Sequence, residues 1–180
     1  AGWGNINEET GERCISNAEM HNVLLHTDDE FRSHFLWQIE RWSGIKESDT
    51  GEKWALMLPE FLREVWPRQK SAKTPQISAR LLDLAFSNVG RFPEIAEIIL
   101  PLLTTIDGDN LMLSNLRKSK DNIVDLYPQQ TLALLHAVLP DNVAAWPYNI
   151  EEILQRISDS NSSLNSDERL LEFKRKWNAR

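Results

Sequence analysis

The chain has 180 residues, a net charge of −7, 41% hydrophobic and 26% charged residues. Those are globular rather than disordered values, and the chain is long enough to bury roughly 70% of its unfolded surface. The acid excess argues against a general nucleic-acid or anionic-membrane coat, the lone Cys14 excludes an internal disulfide and a cysteine-based zinc site, and no apolar run approaches the ~20 residues of a membrane span.

Residues 1–18 are rich in Gly, Asn and Glu and show no periodicity. They read as part of a linker or docked arm covering residues 1–26, with Trp3 as an anchor. Ten acids against four bases put most of the charge imbalance in residues 1–50. A capping box is expected at Thr27-x-x-Glu30. Phe31, Phe35, Ile39 and Trp42 then recur at helical spacing, and Gly44 stops the helix.

The stretch KESDTGE reads as a polar loop. Trp54, Leu58, Phe61, Leu62 and Val65 form the apolar face of a second helix, bent at Pro59 and ended by Trp66-Pro67. Thr74 caps the next helix with Pro75 in its first position. Ile77, Leu81, Leu84 and Ala85 are expected inward, and Gln76, Arg80, Asp83 and Ser87 outward. After Phe92-Pro93, an inward stripe runs through Ile95, Ile98, Ile99, Leu102 and Ile106, with Pro101 on the wet face.

Residues 107–126 are more broken. The helix from Pro128 to Leu139 is apolar on most sides and is expected to be the most buried. Ile150, Ile153, Leu154 and Ile157 make another stripe. SDSNSSLNSD reads as a loop, after which Ser166 caps a last helix with Leu170, Phe173 and Trp177 inward. No period-2 run of strand type is present. The expected fold is therefore all-α, a compact bundle of roughly seven to nine helices of ~10–14 residues each, occupying residues 27–180.

Two stretches match one another. Thr74–Leu103 (TPQISARLLDLAFSNVGRFPEIAEIILPLL) and Tyr127–Ile157 (YPQQTLALLHAVLPDNVAAWPYNIEEILQRI) align Pro75 with Pro128 and Leu81-Leu82 with Leu134-Leu135. After a one-residue slip, Phe92-Pro93 meets Trp146-Pro147 and Ile99-Leu100 meets Ile153-Leu154. This is a weak internal repeat over 74–106 and 127–158, of helical-hairpin, HEAT-like character, and such architecture presents surface.

Chemistry-bearing constellations are sparse. His21, His26, His34 and His136 lack metal-ligand spacing, and Asp107-Gly108-Asp109-Asn110 lacks the full calcium-loop pattern with its distal glutamate. There is no nucleophile elbow and no glycine-rich phosphate loop. We therefore expect no catalytic residues, no metal and no cofactor. The candidate interaction surface is the basic stretch around WPRQKSAK: Arg63, Trp66, Arg68, Lys70 and Lys73, joined by Arg80 on the following helix. Lesser basic clusters are Arg117, Lys118 and Lys120, and Lys174, Arg175, Lys176 and Arg180; the latter suits the end of a helix dipole.

The segments DDEFRSHFLWQIERW, FLREVWPRQKSAKTPQISARLLDLAF, FPEIAEIILPLL and DERLLEFKRKWNAR resemble a bacterial domain-of-unknown-function family, most specifically over Val65–Leu81. That family forms the C-terminal region of larger proteins, some with an upstream sirtuin-like domain and suspected roles in phage defence. The resemblance implies a terminal module with no carried-over site residues, any NAD chemistry belonging to the upstream domain. The expected function is a non-catalytic interaction or scaffold domain in the cytoplasm. Its partner is a protein or a sibling domain of the same polypeptide, with no membrane. The alternative is a nucleic-acid-binding module using the Arg63–Lys73 region.

Overall fold

The computed structural model describes residues 14–43, 49–69, 73–106 and 123–180. Among them there are nine α-helices and no strand. The fold class expected from periodicity is the one observed.

The helical region starts earlier than the sequence reading placed it. Helix α1 (Asn17–His26) opens on a complete capping box. The Ser16 hydroxyl accepts from the Glu19 N–H at 3.2 Å, and the Glu19 carboxylate accepts from the Ser16 N–H at 2.9 Å. Met20 and Leu24 are buried, so residues 17–26 belong to the domain rather than to an arm. Trp3 and Gly44 lie outside the described residues.

Thr27 ends α1 instead of starting α2 (Asp29–Ser43). Its hydroxyl donates to the Leu24 carbonyl at 3.2 Å, and the side chain that caps α2 is Asp28, which accepts from the Phe31 N–H at 2.8 Å. The buried face of α2 is correspondingly rotated. Arg32, Ser33, Leu36 and Ile39 face in, while Phe31 is 45% exposed and stacks on Phe35. Arg32 tolerates burial because Asp29 accepts from it at 2.7 Å and the Leu24 carbonyl takes another of its donors.

Helix α3 (Asp49–Glu60) already occupies part of the expected loop. Pro59 lies inside it, and the next turn widens into a π-helix at Phe61–Val65, where the Trp66 N–H donates to the Phe61 carbonyl five residues back. A proline that removes a backbone donor inside a helix is a common cause of such a bend. Trp66 then leaves the helix in an extended conformation ahead of Pro67.

Helix α4 (Pro75–Ser87) starts as expected, with the Thr74 hydroxyl accepting from the Ile77 N–H and proline in the first position. Helix α5 (Phe92–Ile99) follows a single 3-10 turn and runs into another, Leu100–Leu102. The tightening at Pro101 ends the α-helix, so Pro101 breaks the helix where the sequence pattern suggested only a bend. The stripe Ile95, Ile98, Ile99, Leu102 and Ile106 is buried throughout.

The second half consists of α6 (Ile123–Leu126), α7 (Pro128–Val138), α8 (Ile150–Ser160) and α9 (Glu168–Asn178). Helix α7 is not the most enclosed element. His136 on it is exposed, whereas α4 buries Ile77, Ser78, Leu81, Leu82, Leu84, Ala85 and Phe86. Asp167, not Ser166, caps α9 by accepting from the Arg169 N–H at 2.9 Å. The loop before it folds as a 3-10 helix, Ser162–Ser166, with Leu164 buried.

One apolar core runs through all of this. Helix α2 lies on α3 and α4, and α5 contacts α3, α4 and α7. Helix α7 in turn meets α6, α8 and α9. The two matching stretches thus become neighbouring hairpins, α4–α5 and α7–α8, which meet through α5 and α7. Their first helices start alike on Pro75 and Pro128. Their connections differ: residues 88–91 in one, 139–149 in the other, so that Pro93 is the second residue of α5 while Pro147 precedes α8 by three positions. Leu100 is 38% exposed where its counterpart Leu154 is buried.

Candidate functional site

The five described residues of the expected basic surface, Arg63, Trp66, Arg68, Lys73 and Arg80, have different surroundings. Trp66 is a core residue, 2% exposed, with its ring 6.2 Å from that of Phe61. An indole at the end of an apolar helix face is drawn inward because it removes more apolar area from water than its neighbours. Arg63 reaches α5 and pairs with Glu94 at 2.9 Å; Glu94 also holds Arg91 at 3.1 Å. Lys73 donates to the Pro101 carbonyl at 2.6 Å. Arg68 is exposed and gives a long bond of 3.4 Å to the Arg63 carbonyl. Lys70 lies outside the described residues, as do Asp107–Asn110 and the Arg117–Lys120 cluster.

Arg80 points elsewhere. Its Nε donates to the Ser33 hydroxyl on α2 at 3.3 Å, and its Nη1 lies 3.6 Å from Asp83. The supposedly outward side of α4 is therefore a polar seam with α2. In that seam Ser87 donates to Glu40 at 3.1 Å. Burial pushes the Asp83 carboxyl up to about 6, the Glu40 charge pushes it the same way, and Arg80 opposes both.

The outer edge of this seam opens into a shallow groove of about 350 Å³. Glu30, Ser33, His34 and Trp37 of α2 form one wall, and Gln76 and Arg80 of α4 form the other. Residues 30, 34 and 37 recur at helical spacing, so one stripe of α2 faces the groove. Trp37 is its apolar centre. The His34 ring lies 5.4 Å from it, and the Arg41 guanidinium sits 5.0 Å over its face. Sequence periodicity pointed to Phe31 and Phe35 on this helix and passed over Trp37. The signal that was available is the i, i+3, i+7 run His34, Trp37, Arg41.

Of the other histidines, His21 Nδ1 lies 3.0 Å from the Val65 carbonyl, His26 Nδ1 2.9 Å from that of Asn22, and the His136 ring 5.9 Å from that of Phe173. Cys14 is exposed. Among the described residues no group of three or more His, Cys, Asp or Glu side chains is placed to hold a metal ion, and no helix is long and apolar enough to cross a membrane. Three of the four C-terminal bases are engaged within the domain. Lys176 bridges Asp141 and Glu172 at 2.9 and 2.8 Å, Lys174 donates to Ser158, and Arg180 covers the Trp177 ring.

The described residues form an all-α domain with an aromatic, arginine-flanked groove between α2 and α4. No family model matches the chain, and no solved structure matches it. It is similar to the "Uncharacterized protein y4cA" of Sinorhizobium fredii (strain NBRC 101917 / NGR234), at 23% identity over 161 residues. The alignment covers 88% of this chain and 13% of that protein.

Proposed function

We propose that this chain is a non-catalytic interaction or scaffold domain, one module of a larger bacterial protein. The observation that carries this reading is the proportion of the match: nearly the whole chain corresponds to about an eighth of a much longer relative. A segment of this size with its own continuous core folds as a unit and contributes binding surface to the whole. The resemblance noted in the sequence extends the proposal to the C-terminal part of a phage-defence protein in the cytoplasm, with any NAD chemistry in a separate domain.

The groove supports the same reading. Tryptophan and arginine carry a disproportionate share of binding energy at protein interfaces; Trp37 and Arg80 line it, and Arg41 sits over the Trp37 ring. The alternative, nucleic-acid binding through Arg63–Lys73, loses support because Arg63 and Lys73 are already engaged with Glu94 and Pro101.

The test is light scattering over a concentration series, together with quantitative pull-down on the immobilised chain. The expected result is a saturable complex with a protein partner or with the remainder of the longer polypeptide. A monomer that binds nothing under any condition overturns the proposal. Salt-sensitive retention of DNA or RNA, lost in Arg68→Ala, would favour the alternative.

A further inference from the structure

We infer that the seam between α2 and α4 is an acid-closed joint, in which one proton taken up by the carboxyl pair Asp83 and Glu40 sets how tightly the two helices pack. Mild acid closes the joint and neutral pH loosens it.

The two helices run side by side in the same direction. Ser33 accepts from Arg80 at 3.3 Å; further along both helices, Glu40 accepts from Ser87 at 3.1 Å. Asn88, just past the end of α4, donates to Ser43 at 3.3 Å. Asp83 stands one turn before Ser87 on the same stripe of α4. The Glu40 carboxylate, held on Ser87, therefore lies within about one helical turn of the Asp83 carboxyl. The Asp83 side chain is only 22% exposed, so solvent screens the pair in part.

The seam holds two acids and one base. Arg80 lies 3.6 Å from Asp83 and also bonds Ser33, while the partner of Glu40 is a hydroxyl and not a cation. The other charged groups near α4 are turned elsewhere. Glu30 and His34 of α2 line the outer groove, with His34 Nε2 3.0 Å from the Gln38 amide, and Arg41 sits over the Trp37 ring. On the side of α5, Arg91 pairs with Glu94 at 3.1 Å and Glu97 is exposed. The Asp83 carboxyl is raised by its burial first and by Glu40 second, and Arg80 opposes both.

With the proton on Asp83, Arg80 balances Glu40 and the seam is neutral. With it off, two carboxylates share one guanidinium across the seam. The packed carboxyl keeps its proton up to about pH 6, whereas one freed to water releases it near its ordinary 3.8. The closed joint is therefore favoured below that range's upper end and loses this support as pH rises through about 6. Ser33 and Arg80 also line opposite walls of the groove at Trp37, so the state of the joint is passed on to that groove.

The experiment measures amide hydrogen exchange on the whole 180-residue chain at about pH 5 and about pH 7.5, with rates corrected for the intrinsic effect of pH. Protection along α4 and the facing side of α2 should be about tenfold lower at the higher pH, the ratio given by a carboxyl at about 6 when closed and 3.8 when open, while α8 is unchanged. Asp83→Asn should abolish the fall and Glu40→Gln should reduce it. His34→Gln, which removes the imidazole from the groove lining, should leave it intact. The Asp83 carboxyl carbon, followed by NMR in the unsubstituted chain, should titrate near 6 and needs no variant to fold. A carboxyl midpoint near 3.8, or equal protection at both pH values, overturns the joint. So does a fall that survives Asp83→Asn, is undiminished in Glu40→Gln, vanishes in His34→Gln or spreads evenly over every helix.

Discussion

Phe92 lies against Tyr127, ring to ring at 5.7 Å and tilted by 34°, and this contact joins the two helical hairpins. Phe92 is the first residue of α5 and Tyr127 the residue before α7. Phe86 also stacks on Phe92, at 5.8 Å. Each hairpin therefore supplies a ring to the seam between them, and the Ile106 N–H reinforces it by donating to the Val138 carbonyl at 2.8 Å.

Removing Phe92 leaves a cavity bounded by both hairpins. Phe92→Ala is expected to cost about 3–5 kcal/mol in urea unfolding, the usual range for a buried phenylalanine. Tyr127→Leu should cost less, and the double variant should cost less than the two combined, because the two rings share a contact. Strict additivity would mean that the rings do not couple the hairpins.

Two neighbours in the expected basic surface should part company. Trp66→Ala is expected to lower stability by about 3–5 kcal/mol, since its indole is in the core. Arg68→Ala, on an exposed side chain with one long bond, should stay within about 0.5 kcal/mol of the parent chain. Equal and small effects at both positions would contradict the burial of Trp66.

The seam between α2 and α4 should make stability depend on pH in an unusual direction. The Asp83 carboxyl is raised to about 6 in the folded chain, above its ordinary value of 3.8. Between those values the folded state holds the proton that the unfolded state has released, so this group's contribution to stability falls as pH rises from about 4 to about 6. At pH 7 its charge opposes folding. Asp83→Asn is then expected to be more stable than the parent at pH 7, by about 1–2 kcal/mol after allowing for its partial exposure and the lost pairing with Arg80. The advantage should shrink toward pH 4. Denaturant titrations of both proteins that run parallel from pH 4 to 7 would refute this.

The N-terminal helix offers a separate check. Ser16→Ala removes the hydroxyl that accepts from Glu19 N–H, and is expected to cost about 1 kcal/mol. Hydrogen exchange should localise the loss of protection to α1, around Met20 and Leu24. Protection unchanged there would mean that the capping box does not hold this helix.

Much of the architecture was readable from periodicity. The stripes Ile77, Leu81, Leu84 and Ala85, and Ile150, Ile153, Leu154 and Ile157, are buried as expected, and Thr74-Pro75 starts its helix as expected. Helix α1 was missed although Ser16-x-x-Glu19 carried the same signal that was read at Thr27. The short apolar set Met20 and Leu24 gave too weak a period to draw attention to it. The cap at Thr27 failed because an equally good acceptor, Asp28, stood next to it, and a one-residue choice between caps is made by the turn that precedes the helix.

The sequence by itself determined which sides of the helices are apolar, and with that the all-α class and the single core. It did not determine what covers the polar sides. Arg63 and Arg80 lie near each other in the chain, yet Arg63 bonds to Glu94, 31 residues away, and Arg80 to Ser33, 47 residues away, on different helices. Only the tertiary structure decided those partners, and with them the groove at Trp37. Helical spacing fixes the direction of a side chain on its own helix, whereas a polar side chain's role depends on which neighbouring helix is brought against it. That choice comes from long-range core packing of the apolar faces, and no local pattern encodes it.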